Sequence, residues 1–337
     1  MEPHKAKATN IRDVARAAGV SHQTVSRVLN DHPNISASTR ARVEATMERL
    51  SYRPSRVAQA LATSRSRTIG IISTDNGRYG PPKTQRAIEA AARDAGYFLS
   101  TVTLASVVDR SMQAALRHLG DQGIDGIVLI APQAAMLDEF MKSSPDIPYV
   151  TVDSADRGTG HTVAIDQEEG ARLATQHLID LGHRDIVHIS GPSDWLDSTA
   201  RVRGWRAALA GAGIEACDPL IGDWSPRRGY EAGLALAQSV DVSAVFASND
   251  QMALGLLRGF HSAGVRVPGD VSVVGFDDIP ESEYFWPPLT TVRPDYSELG
   301  RRCMALLLDQ LTGNPLPPER PVVPELTVRD STARPRS

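Results

Sequence analysis

The sequence predicts an α/β protein in which a small all-α module precedes a core of two doubly wound layers of parallel sheet. Three observations predict it. Charge is distributed unevenly, the N-terminal segment carries apolar residues at helical spacing, and from Thr68 onward short apolar runs alternate with amphipathic stretches. A chain of 337 residues exceeds one comfortable core and implies two or three units. With 41% hydrophobic, 23% charged and 5% aromatic residues, it is neither disordered nor fibrous. No apolar run approaches the ~18 residues of a membrane helix, and the opening residues are polar, so a cytoplasmic protein without membrane contact is expected. Cys217 and Cys303 stand far apart, which argues against a disulfide framework or a thiolate zinc site and fits a reducing compartment.

The net charge of −4 hides two parts. Through Arg67 there are 12 Lys and Arg against 5 Asp and Glu, or +7, leaving 24 against 35, or −11, over the other 270 residues. A basic module on an acidic body suits a phosphate backbone, whose released counterions supply affinity independent of sequence. A merely solvated basic tail would lack apolar periodicity, and this segment has it. Asn10 and Asp13 form an N-cap pair, with Ile11, Val14, Ala15 and Ala18 at helical spacing. Gly19-Val20 breaks that helix, Ser21 caps a second carrying Val25, Val28 and Leu29, and Ser36 to Thr39 starts a third carrying Val43, Met47 and Leu50. The second helix then turns His22, Gln23, Ser26 and Arg27 outward. Gln and Arg read base edges bidentately, and Ser at a helix start contacts phosphate. The competing reading is a helical bundle with an incidentally basic surface.

After the polar connector 63–67, candidate strands are Thr68 to Ser73, Gly126 to Ala131, Tyr149 to Asp153, Asp185 to Ser190, Ala244 to Ala247 and Val271 to Phe276. Helical stretches fall at Lys83 to Ala95, Gln167 to Leu181, Thr199 to Gly211, Arg228 to Ser239 and Gln251 to Gly264. Buried strands separated by helices imply parallel sheets covered on both faces. Ligands of such sheets sit beyond the strand carboxyl ends. There stand Asp153, Asn249-Asp250 and Asp277-Asp278, with Arg201 and Arg203 near a helix start and Trp224 as an apolar wall. Carboxylates, a carboxamide and a guanidinium are what a hydroxyl-rich ligand requires. Singly, each acid reads equally well as a helix cap or turn former; convergence of several favours a site.

Ile11 to Ala15, with Ala18-Gly19-Val20-Ser21-His22-Gln23-Thr24-Val25-Ser26-Arg27-Val28-Leu29-Asn30, resembles the headpiece of the LacI/GalR family of transcriptional regulators. Tyr52 to Ala62 resembles that family's hinge helix, and Asn249 to Gly255, Val271 to Asp278 and Pro287 to Val292 resemble its core, so the likeness runs over roughly residues 9 to 330. The resemblance implies a two-lobed core like that of periplasmic binding proteins. It implies operator contacts from Ile11, Ser21, His22, Gln23, Ser26, Arg27, Asn30, Arg56 and Ala58, with Leu61 as a wedge between base steps. It places sugar contacts at Asp153, Arg201, Trp224, Asn249, Asp277 and Tyr296. Three departures stand out: Ile130 replaces a cleft asparagine, Arg78, Gly80, Pro81 and Thr84 only partly keep an apolar patch, and His22 replaces a tyrosine. The operator is therefore expected to differ from the family pattern by a few base pairs.

The implied organisation is a headpiece over 1–54, a hinge over 55–67, a first lobe from 68–165 and 293–323, a second from 166–292 and 324–330, and a tail over 331–337. That tail carries no leucine-heptad helix, so a homodimer is expected. The implied function is a repressor of carbohydrate-utilisation genes, bound to double-stranded operator DNA and released by a sugar inducer, a galactoside or related pyranoside. A corepressor-dependent regulator and a transport-type sugar-binding protein are the alternatives. The acids of the crevice alone motivate a sugar-processing enzyme; no nucleophile elbow, phosphate loop or paired acid/base geometry accompanies them, so no catalytic residue or cofactor is expected. His183 and His188 lack a common helix face, and no metal site is expected from them.

Overall fold

The computed structural model describes residues 9–29, 32–52, 65–74, 79–104, 109–143, 146–155, 160–239, 242–316, 318 and 320–336. The chain divides into two units, Met1–Ser66 and Arg67–Ser337.

In the first unit, α1 (Ile11–Ala18), α2 (His22–Leu29) and α3 (Ala37–Arg49) enclose Val14, Ala15, Ala18, Val25, Val28 and Val43. The start of α1 follows from a reciprocal cap: the Asn10 side chain accepts from the Arg12 and Asp13 amides, and Asp13 accepts from the Asn10 amide at 3.1 Å. Its end follows from Gly19, which takes φ 66°, a left-handed conformation costly for other residues. Ser36 caps α3 through Oγ.

The second unit holds two sheets. The first comprises β1 (Thr68–Thr74), β2 (Phe98–Leu104), β3 (Gly126–Ile130), β4 (Tyr149–Val152) and β5 (Thr162–Val163), all parallel in the order β2-β1-β3-β4-β5. Helices α4 (Gly80–Asp94), α5 (Asp109–Asp121) and α6 (Ala134–Lys142) connect them. Every residue of β3 is buried, as a strand covered on both faces requires. After β5 the chain enters the second lobe through α7 (Gln167–Leu181), β6 (Ile186–Ser190), α8 (Leu196–Gly211), β7 (Leu220–Ile221), α9 (Pro226–Leu236), β8 (Ala244–Ala247), α10 (Asp250–Ser262), β9 (Ser272–Phe276) and β10 (Thr290–Arg293). It returns as α11 (Tyr296–Thr312), which packs on α4 and β4, and crosses again to β11 (Glu325–Thr327). The second sheet runs β11-β10-β9-β8-β6-β7, parallel except for the β10–β11 pair. The first and last crossings are laced together, Asp166 donating its amide to the Val322 carbonyl at 2.9 Å and Val322 its own to Ala164 at 2.8 Å.

The limits Gln167–Leu181 and Ala244–Ala247 are those the sequence predicts. Helix α4 begins earlier than expected, at Gly80, because Pro81 and Pro82 fill a first turn whose amides need no partner. Strands β2, β5, β7, β10 and β11 and helices α5, α6 and α11 are not among the expected elements. The expected tail also requires correction. Ser331 is fully buried; its carbonyl accepts the Val273 amide at 2.8 Å, its hydroxyl donates to the Val273 carbonyl at 2.6 Å, and Ala333 bonds Ser272 at 3.0 Å. Residues 331–333 therefore belong to the second lobe.

Candidate functional site

Helix α2 buries Val25 and Val28, which leaves Ser21, His22, Gln23 and Arg27 exposed beside it and Ser26 partly so. Ser21 also caps the helix, its Oγ accepting the Thr24 amide at 3.1 Å. Ile11 is half-buried against the headpiece core. Asn30, Arg56, Ala58, Leu61 and Arg78 lie outside the described residues.

In the core, Asp153, Arg201, Trp224, Asn249, Asp277 and Tyr296 line a single cleft. Arg201 is buried in α8, where Nε donates to Gln167 Oε1 at 2.9 Å and Nη1 donates to the Ser248 carbonyl. Its Nη2 stands 3.6 Å from Asp277 Oδ1, and its guanidinium lies 3.6 Å from the Phe276 ring centroid. A buried cation persists only with such partners. Burial pushes the Asp277 carboxyl up to about 7, against the pull of Arg201. Asp277 and Asp278 take φ 103° and 44°, both left-handed. That turn is fixed by the Asp277 amide on the Val292 carbonyl at 2.9 Å, and by Arg293 and Arg329 on Asp278 at 2.5 and 2.8 Å.

Asn249 does two jobs. Its Oδ1 caps α10 through the Met252 amide at 2.9 Å, while Nδ2 donates to the Trp224 carbonyl at 3.1 Å. Trp224 adopts φ 70° and meets Trp195 edge-on at 5.4 Å. Its indole N–H is buried without a hydrogen-bond partner among the described residues. Gly191 makes room for the ring: a Cβ there would sit 2.0 Å from it. Tyr296, first in α11, packs edge-on against Tyr79 at 6.3 Å, and burial raises its hydroxyl above the ordinary range. Asp153 Oδ1 accepts the Ala155 amide at 2.8 Å.

Three neighbours named with these residues do not line the cleft. Arg203 pairs with Glu168 at 2.8 Å, Asp278 faces its two arginines, and Asp250 is buried beneath, accepting from Ser282 and Thr291 at 2.6 Å and from the Ile279 amide at 2.9 Å. Tyr79, Gln167, Trp195 and Asp197 line it without having been singled out in the sequence. His183 and His188 are core residues: His183 bonds Ser243 and Ser272 at 3.0 Å, and His188 donates to the Phe246 carbonyl at 3.0 Å, its imidazole pushed down to about 3 by burial.

Residues 10–55 match "Bacterial regulatory proteins, lacI family" and residues 175–332 match "Periplasmic binding protein-like domain". The chain is 34% identical over 339 residues to the lactose operon repressor of Escherichia coli K12, covering 98% of this chain and 92% of that one. The chain belongs to the lacI family of bacterial regulatory proteins. It is a DNA-binding transcriptional repressor with an effector domain of the sugar-binding type. Similar at 33% identity is the ribose operon repressor of E. coli K12, with 92% of this chain and 95% of that one covered, and at 35% the regulator CelR of Thermobifida fusca, with 94% and 96%. Among solved structures, a lac repressor dimer bound to operator and the anti-inducer ONPF superposes with a TM-score of 0.84 at 32% identity, over 97% of this chain and all of that one. A CelR–cellobiose complex superposes with a TM-score of 0.71 at 32% identity, over 96% and 99%. Among the described residues no helix is long and apolar enough to cross a membrane.

Proposed function

We propose that the protein represses carbohydrate-utilisation genes as a homodimer on operator DNA and is released by a pyranoside held between the core lobes. One observation carries the reading: the acids, carboxamide, guanidinium and indole separated along the chain converge on one cleft. Hydroxyls donate to Asp153 and Asp277 and accept from the guanidinium of Arg201, while Trp224 offers a flat wall to the C–H face of a ring. Removing one such hydroxyl leaves a buried group unpaired, at about 1 to 3 kcal/mol, which is the basis of epimer selectivity. The operator-bound dimer of the similar lac repressor supports the assembly, and the cellobiose complex of CelR supports a pyranose ligand. A galactoside is the first sugar to test, because it is the ligand that the sequence resemblance implies, with contacts from Asp153, Arg201, Trp224, Asn249 and Asp277.

On DNA, the exposed face of α2 reads the major groove, with Gln23 and Arg27 as base readers and Ser21 and Ser26 on phosphate. Arg56 and Ala58 support the minor-groove contact made by Leu61. Sugar releases the operator only through its differential affinity for two states of the core; a hundredfold effect requires about 2.7 kcal/mol. A thermal-shift screen of mono- and disaccharides finds the ligand, since saturation at about 100 times the dissociation constant adds about 2.7 kcal/mol to stability. Operator binding with and without that sugar gives the sign. Arg201→Ala is expected to abolish the sugar response and leave operator affinity nearly intact; joint loss of both would mean that Arg201 serves the fold and not the sugar.

A further inference from the structure

Asp197 occupies the first turn of α8 and lines the cleft. Its Oδ1 accepts the hydroxyl of Ser154, which follows β4 of the other lobe, at 2.5 Å. Beside this bond, Leu196 donates its amide to the Pro132 carbonyl at 2.9 Å, Gln133 Nε2 donates to Asp194 Oδ2 at 2.6 Å, and Gln133 and Trp195 form an antiparallel bridge. One edge of the cleft is thus closed by bonds between the lobes, and Asp197 is the acid in that seam that also faces the ligand space. Its charge is felt across the cleft, helping to raise both Asp277 and Tyr296. Among the described lining residues the acids are Asp153, Asp197 and Asp277, and the cation is Arg201, whose Nε and Nη1 are taken by Gln167 and Ser248 and whose Nη2, the donor left for a sugar hydroxyl, stands 3.6 Å from Asp277.

We infer that Asp197 is a specificity-determining residue that restricts the effector to an uncharged sugar and excludes sugar phosphates. The inference rests on the sugar reading above. Proteins hold phosphate with helix N-termini or with unspent Arg and Lys donors. Here the positive end of α8 is already answered by the carboxylate of Asp197. A phosphate would give up its water to face the carboxylates of Asp153 and Asp197, with the buried acid Asp277 beside them, whereas sugar hydroxyls donate to the same oxygens.

The experiment measures stabilisation of the full chain by galactose, glucose, lactose and cellobiose, and by galactose 6-phosphate, glucose 6-phosphate and lactose 6-phosphate. Wild type, Asp197→Asn and Ser154→Ala are compared. A neutral sugar is expected to bind the wild type and its phosphate not to. Asp197→Asn reduces the preference for neutral over phosphorylated sugar by roughly tenfold. Ser154→Ala, which removes the bond across the seam and keeps the charge, retains the preference. A phosphate that binds the wild type better than its parent sugar overturns the inference, as does an unchanged preference in Asp197→Asn or an equal loss in Ser154→Ala. Silence from every sugar and phosphate refutes the sugar reading itself, and this inference falls with it.

Discussion

Asp277 is a buried acid whose charged form its surroundings disfavour. Its ordinary value is 3.8, and burial, only partly opposed by Arg201, moves it up to about 7. The folded protein therefore binds a proton more readily than the unfolded chain between those values. That preference favours folding most at low pH, and its contribution is lost as pH rises through about 7. Asp277→Asn, neutral throughout, is expected to lose less stability than the wild type between about pH 5 and 8. Melting temperatures across that range check this; parallel curves for the two proteins would contradict it. Gly191 has a simpler task, to leave space. Gly191→Ala would put a methyl group 2.0 Å from the Trp224 ring, so it is expected to displace the indole, weaken sugar binding and cost about 1 to 3 kcal/mol. Tryptophan fluorescence with urea unfolding tests it, and an unchanged spectrum with full stability would show that the ring does not depend on that space.

The elements were legible where several local signals agreed. Helix α7 has Asp166 capping through the Glu169 amide at 2.9 Å and Gly182 in the left-handed conformation at its end, so both limits could be read. Strand β8 is a continuous buried run of Ala, Val and Phe. Strand β2 is an edge of its sheet and mostly uncovered, and its Ser100, Thr101 and Thr103 dilute the apolar run that a central strand displays. In the cleft, residues following strands could be anticipated because parallel topology aligns their carboxyl ends. Which member of each pair faces inward could not: Asp277 and Asp278 are sorted by two positive φ angles, and Arg201 and Arg203 by their rotation on α8. Asp197 and Gln167 were missed because they enter from helix starts and not from strand ends. The C-terminal segment escaped for a related reason, since its partners Val273, Thr290 and Ser272 are remote in sequence. Deleting 331–336 is expected to lower the melting temperature by several degrees, because the Thr290 and Val273 amides lose buried partners. An unaltered transition would show that this segment adds nothing to the lobe.

At the scale of the molecule, a basic headpiece with its own core is joined to an acidic two-lobed unit whose cleft is built from both lobes. Arg56, Ala58 and Leu61 lie between them in sequence, outside the described residues, and the proposed effect of sugar on DNA is measured as an energy between two sites. Such coupling is reciprocal: whatever factor the sugar takes from operator affinity, the operator must take from sugar affinity. The direct measurement is a titration of the inducing sugar against the purified protein, free and saturated with operator, followed by tryptophan fluorescence. The dissociation constant for sugar is expected to rise on operator by the same factor by which sugar weakens operator binding. Equal sugar affinities in the two titrations would contradict it.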